Sequence, residues 1–131
     1  MILDGTLFDK LTEEAKQSPR LRTHYNLHES LDAKAQRLLV ALEPGTVMPI
    51  HRHPLVNETQ MIFRGSMKVV YYNDQHEVVD TFELDPKKGN HGIHIQKGQW
   101  HTIDVLESGT IILEVKDGPY TPSTPEDIMN L

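Results

Sequence analysis

The stretch Gly45-Thr46-Val47-Met48-Pro49-Ile50-His51-Arg52-His53-Pro54-Leu55-Val56-Asn57-Glu58-Thr59-Gln60-Met61-Ile62-Phe63-Arg64-Gly65 reads as two strands joined by a loop. Residues two apart on a strand share a face, so His51 and His53 project together into whatever the strand encloses. Pro54 to Asn57 turn the chain, and Glu58 opens the next strand with an oxygen for the same face. Gly45 and Gly65 suit the turns that bound this hairpin. Three ligand-type side chains on adjacent strands make half of a metal site. The other half is read downstream in Gln96-Lys97-Gly98-Gln99-Trp100-His101, where a glycine turn delivers His101 as the fourth ligand. Three neutral imidazoles and one carboxylate suit a first-row divalent ion, whether Zn, Fe, Mn or Ni, and leave room for water or substrate.

Outward from that hairpin the texture persists. Runs rich in β-branched and aromatic residues fall at 36–43, 47–53, 58–64, 66–73, 77–84, 92–96, 101–107 and 110–116. Turn residues separate them: Pro44-Gly45, Pro54, Gly65, Asn73-Asp74, Pro86 to Gly89, Gly98 and Ser108-Gly109. Short strands at such spacing predict an all-β jelly-roll β-barrel. Ahead of it, Leu7, Leu11 and Ala15 recur with helical period, predicting a short N-terminal helix over 4–18 that Pro19 ends. Arg20 to Ala35 has no clean period and is expected to be loop. Beyond residue 117, Pro119, Pro122 and Pro125 lack ladder donors, so the tail is expected to leave the barrel as an extended C-terminal arm. Thr124-Pro125-Glu126-Asp127 can start one last helical turn. The expected organisation is a helix-and-loop extension over 1–35, a barrel over 36–117 and an arm over 118–131.

Composition limits the functional classes. The chain has 131 residues, 37% of them hydrophobic and 24% charged, which fits one folded domain. A net charge of −6 disfavours nucleic acid as the main partner, since phosphate binding needs a basic face. The absence of cysteine excludes disulfides and thiolate metal sites and leaves imidazole and oxygen donors. No apolar run is long enough to span a bilayer, and Met1-Ile2-Leu3-Asp4-Gly5 lacks a basic segment ahead of an apolar one, so no membrane association and a cytoplasmic location are expected.

The pattern Gly45-x5-His51-x-His53-x4-Glu58-x6-Gly65 resembles the first motif of the cupin superfamily at every fixed position. The second motif is matched at Gly98-x2-His101, whereas Gln96 stands where the superfamily has proline and Val105 where it has asparagine. Further segments sharpen the likeness: Ser18-Pro19-Arg20-Leu21-Arg22, Tyr25-Asn26-Leu27-His28, Gln36-Arg37-Leu38-Leu39, Glu43-Pro44-Gly45, Trp100-His101-Thr102 and Glu114-Val115-Lys116-x-Gly118-Pro119-Tyr120. Together these resemble the WbuC family of cupin fold metalloproteins over nearly the whole chain. The resemblance implies His51, His53, Glu58 and His101 as ligands of one divalent metal ion. It also implies a small polar or sugar-related molecule as ligand, in the setting of polysaccharide metabolism, and makes Tyr25, Asn26 and His28 candidates to cover the barrel mouth.

Two further ligand-binding candidates come from the residues themselves. Gln60 shares the face of Glu58, so it either reaches the ligand or hydrogen-bonds a metal ligand. Trp100 either stacks in the pocket or packs structurally. His94 alternates with Ile93 and Ile95 and is expected to point outward. Apolar residues on both faces of Met61-Ile62-Phe63 and Val69-Val70-Tyr71-Tyr72 call for a cover, either the N-terminal helix or the partner of a homodimer. Three functions fit these features: a metal-dependent isomerase, epimerase or oxygenase, a non-catalytic metal-dependent binding protein, and a metal-free jelly-roll sugar epimerase.

Overall fold

The computed structural model describes residues 1–129, within which ten strands form two five-stranded antiparallel sheets. The first holds β1 (Arg22–Asn26), β2 (Ala35–Leu42), β9 (Thr110–Asp117), β4 (Glu58–Arg64) and β7 (Gly92–Ile95), in that order. The second holds β10 (Ile128–Met129), β3 (Ile50–His51), β8 (Trp100–Val105), β5 (Met67–Tyr72) and β6 (Val78–Leu84). This is the jelly-roll barrel the sequence predicts, with a short N-terminal helix.

Period-two alternation builds the core. Leu38, Val40 and Leu42 of β2 meet Ile62, Ile112, Met67, Val69, Ile103 and Val105 between the sheets, all 9% exposed or less. Each such side chain contributes about 1.5–3 kcal/mol of transfer free energy. The intervening residues Leu39, Ala41 and Ile111 point out of the first sheet and are covered by Leu11 and Ala15 of α1 (Gly5–Gln17). That helix starts where Asp4 accepts a hydrogen bond from Leu7 N–H at 3.0 Å, satisfying a donor that the helix cannot. Phe8 stacks on Phe63 with ring centroids 5.6 Å apart, and Arg64 anchors Asp9 at 2.9 Å.

Three expectations need correction. The segment expected as loop contains β1, which runs Arg22↔Leu42 to Asn26↔Leu38 against β2. Its alternation is masked because the positions facing the cavity and the groove beside it, His24 and Asn26, are polar. The strand expected over 47–53 shrinks to Ile50–His51, with Pro49 just before it unable to donate to a ladder. The arm does not leave the barrel: after a 3₁₀ turn at Pro125–Asp127 it returns as β10, pairing Ile128↔His51 and Met129↔Ile50. Positions 130 and 131 of the expected arm lie outside the described residues.

Candidate metal and ligand site

His51 and His101 face each other in register across β3 and β8. The next ligand candidate, His53, stands just past β3, where its carbonyl accepts from Gly98 N–H at 2.8 Å. Lys97 N–H likewise donates to Asn57 Oδ1 at 2.9 Å. The glycine turn ahead of β8 therefore fastens the loop between β3 and β4, bringing both halves of the motif together. One ring nitrogen from each of His51, His53 and His101 lies within 4.8 Å of the others.

Hydrogen bonds at the far side of two of these rings prepare them as ligands. Nδ1 of His51 meets Pro49 O at 2.8 Å, and Nδ1 of His101 meets Gln99 O at 2.9 Å. A carbonyl only accepts, so each Nδ1 carries the proton and each Nε2 keeps its lone pair. Burial, and then the neighbouring His101, lower the His51 pKa to about 4, and burial also lowers that of His101. Both are neutral at pH 7, as metal binding requires.

Glu58 is 3% exposed, and its Oε2 lies 2.8 Å from His53 Nε2. The contact lacks hydrogen-bond alignment, leaving Oε2 without a hydrogen-bond partner, while Oε1 accepts from the Gln60 amide at 2.6 Å. Burial alone would raise the Glu58 pKa, but His53, His101 and Gln60 outweigh it and hold the carboxyl at about 2. His101 Nε2 is also buried and unpartnered. Buried polar atoms are rarely left so, and three imidazoles within reach of one point are donor chemistry a divalent cation takes up; Glu58 is not part of that close group but meets it at His53. The residues present fit such an ion.

A cavity of about 210 Å³ opens beside this cluster. Its floor is the inner face of the first sheet, where Glu58↔Lys116 and Gln60↔Glu114 pair across β4 and β9. Gln60 is 1% exposed, donates to Glu58 and leaves its Oε1 unpartnered in the cavity wall. Glu114 went unnoticed in the sequence. Its remaining surface opens into the cavity, and burial, reinforced by the negative charge of Glu58, raises its pKa to about 8 despite Lys116. The available signal was a pair of charges, Glu114 and Lys116, at alternate positions of an otherwise apolar strand.

The mouth candidates divide by face. Tyr25 points out of the first sheet and packs against the helix-side cluster, so it lines no part of the cavity. On a strand its neighbour His24 takes the inward position, which a loop reading could not foresee. Asn26 and His28 line an open groove that adjoins the cavity and shares His24, Glu114, Lys116 and Tyr120 with it. Trp100 lies on the face of β8 opposite His101, packing with Ile50 and Met129 under Arg52 and donating from Nε1 to Asp74 at 2.9 Å. It lines no part of the cavity. His94 is exposed, as expected, with Nδ1 2.8 Å from Thr59 Oγ1.

Comparison with solved structures supports the cupin fold. KdgF from Halomonas sp. is 14% identical at a TM-score of 0.61, the match covering 79% of this chain and 83% of that one. The capsular polysaccharide assembling protein CapF from Staphylococcus aureus is 16% identical at a TM-score of 0.69, over 87% of this chain and 32% of its own. Oxalate decarboxylase from Bacillus subtilis, described for its Mn(II) centres, is 18% identical at a TM-score of 0.59, over 84% of this chain and 28% of its own. The chain thus spans most of KdgF but only about a third of the other two. No curated protein matches the sequence. No helix among the described residues is long and apolar enough to cross a membrane. A family model matches residues 3–84, the helix through β6 with His51, His53 and Glu58 included, and the chain accordingly belongs to the family described as a domain of unknown function, DUF6016.

Proposed function

We propose that this protein is a cupin metalloprotein of WbuC type that holds one divalent ion through His51, His53, Glu58 and His101 and acts on a small polar or sugar-related molecule. The observation that carries the reading is the pair of buried, unpartnered donors, His101 Nε2 and Glu58 Oε2, beside imidazoles whose tautomers are set by backbone carbonyls. An ion bound there supplies Lewis-acid polarisation of a ligand oxygen. The chain's own groups supply the rest: Glu114, whose burial raises its pKa, can exchange a proton within the cavity, while Gln60 offers an acceptor oxygen. This combination favours isomerisation or epimerisation over simple storage. The likeness to a capsular polysaccharide assembling protein supports a place in polysaccharide metabolism. Exposed Val78 and Val79 on the edge strand β6 support a homodimer.

The test is elemental analysis of the purified protein beside His51→Ala/His53→Ala, with circular dichroism to establish that both fold. About one ion per chain is expected in the parent and less than a tenth of that in the variant. Retention of full metal by the variant would show that the ion sits elsewhere, and a parent that takes up no Zn, Fe, Mn or Ni would favour the metal-free epimerase.

A further inference from the structure

The groove that adjoins the metal-side cavity has a volume of about 410 Å³ and is walled by Arg20, His24, Asn26, His28, Lys116 and Tyr120, with Glu114 at the neck. Its charge departs from that of the whole chain, whose net charge is −6. Neither Arg20 nor Lys116 has a carboxylate within 4.0 Å among the described residues. The nearby Arg22 reaches only Val47 O at 2.8 Å and Thr46 Oγ1 at 3.4 Å, both uncharged.

Polar atoms beside and in the groove are also left over. Arg22 Nε is buried without a partner. His28 Nδ1 meets both Arg37 N–H at 3.1 Å and Arg37 O at 3.0 Å, and its Nε2 is buried and unpartnered. Surface cations alone are commonly solvated and idle. Here they stand with the buried, unpartnered His28 Nε2 in a groove that adjoins the cavity holding His51 and His53.

We infer that this groove is an anion subsite: the molecule that enters the cavity carries a carboxylate or phosphate that docks among Arg20, His24 and Lys116 while its other end reaches His51, His53 and His101. The inference rests on the proposed metal reading for the inner end of the ligand only. Desolvation at the mouth and the positive charges of Arg22, Arg20 and Lys116 lower the His24 pKa, as expected where cations lack counter-charge. Glu114 is the one acid among the groove-lining residues, set against Arg20, His24 and Lys116. A neutral sugar would leave the cations unmatched, whereas an oxyanion meets planar or point-charge donors suited to it.

The experiment is an NMR titration of the folded full chain with inorganic phosphate and, separately, acetate, against sodium chloride at equal ionic strength. Resonances of His24 and Lys116 should move saturably with at least one of the two anions, and the His24 imidazole pKa should rise. Which anion acts distinguishes a phosphate from a carboxylate ligand. Arg20→Gln/Lys116→Gln should weaken the response at least tenfold. Absence of any saturable shift with either anion, or a response identical to that of chloride, would overturn the inference, and so would an unchanged response in the folded double variant. If that variant fails to fold, the wild-type titration still decides. Repeating it on metal-stripped protein separates the two ideas, because Arg20, His24 and Lys116 are not metal ligands. Anion binding should survive there even if the metal reading fails.

Discussion

Glu114 and His51 face the same cavity yet are pushed toward neutrality from opposite sides, Glu114 by a pKa raised to about 8 and His51 by one lowered to about 4. Their linkage to stability therefore has opposite signs. For Glu114 the folded chain binds the proton more tightly than the unfolded chain, so stability is lost as pH rises from about 4.5 toward about 8. Glu114→Gln removes that loss, and chemical denaturation of metal-free protein from pH 5 to 9 should show the variant gaining on the parent as pH increases. A parallel pair of curves would mean that Glu114 is not held protonated. For His51 the folded chain binds the proton less tightly, so its contribution is lost as pH falls from about 6.5 toward about 4. The same shift keeps the imidazole ready for metal across neutral pH.

At the scale of elements, the turn that carries the chain from β4 in one sheet to β5 in the other depends on Gly65. Its φ is +84°, and an added Cβ would strike the Thr110 side chain and come 2.6 Å from Thr110 Cα. Backbone strain and collision with a neighbouring strand act together, so Gly65→Ala should cost about 2–4 kcal/mol in urea denaturation. An unchanged midpoint would contradict this account. The end of β2 is fastened to the turn before β9 in a different way, by buried Glu43, which accepts from Ser108 Oγ at 2.6 Å and Gly109 N–H at 2.7 Å. Strand boundaries were legible where apolar alternation is strong, as in β2 and β9. They were not legible in β1 or β3: β1 presents polar residues to a cavity rather than apolar ones to the core, and β3 is held by neighbours on both sides rather than by length.

At the scale of the whole molecule, the metal-side cluster joins β3 and the loop after it to β4 of one sheet and β8 of the other, so an ion bound there couples the two sheets. Zinc added to chelator-treated protein at a thousandfold excess over Kd should stabilise it by about 4 kcal/mol. Scanning calorimetry should register a Tm rise of roughly 15 °C. A Tm indifferent to zinc would contradict the coupling. The sequence by itself determined the jelly-roll class and the candidates His51, His53 and Glu58, because period-two alternation and turn residues are local properties and the motif carries its spacing within one short stretch; the hairpin expected there is instead a crossover, β3 and β4 lying in different sheets. It also named His101, but only the pairing of β3 with β8 brings that residue opposite His51. Tertiary structure alone decided that Glu114 and Lys116 share the cavity floor with Gln60 and Glu58, that His24 rather than Tyr25 faces the mouth, and that the tail returns as β10. These depend on the register between strands distant in sequence, and a slip of one residue would turn each of those side chains to the other face.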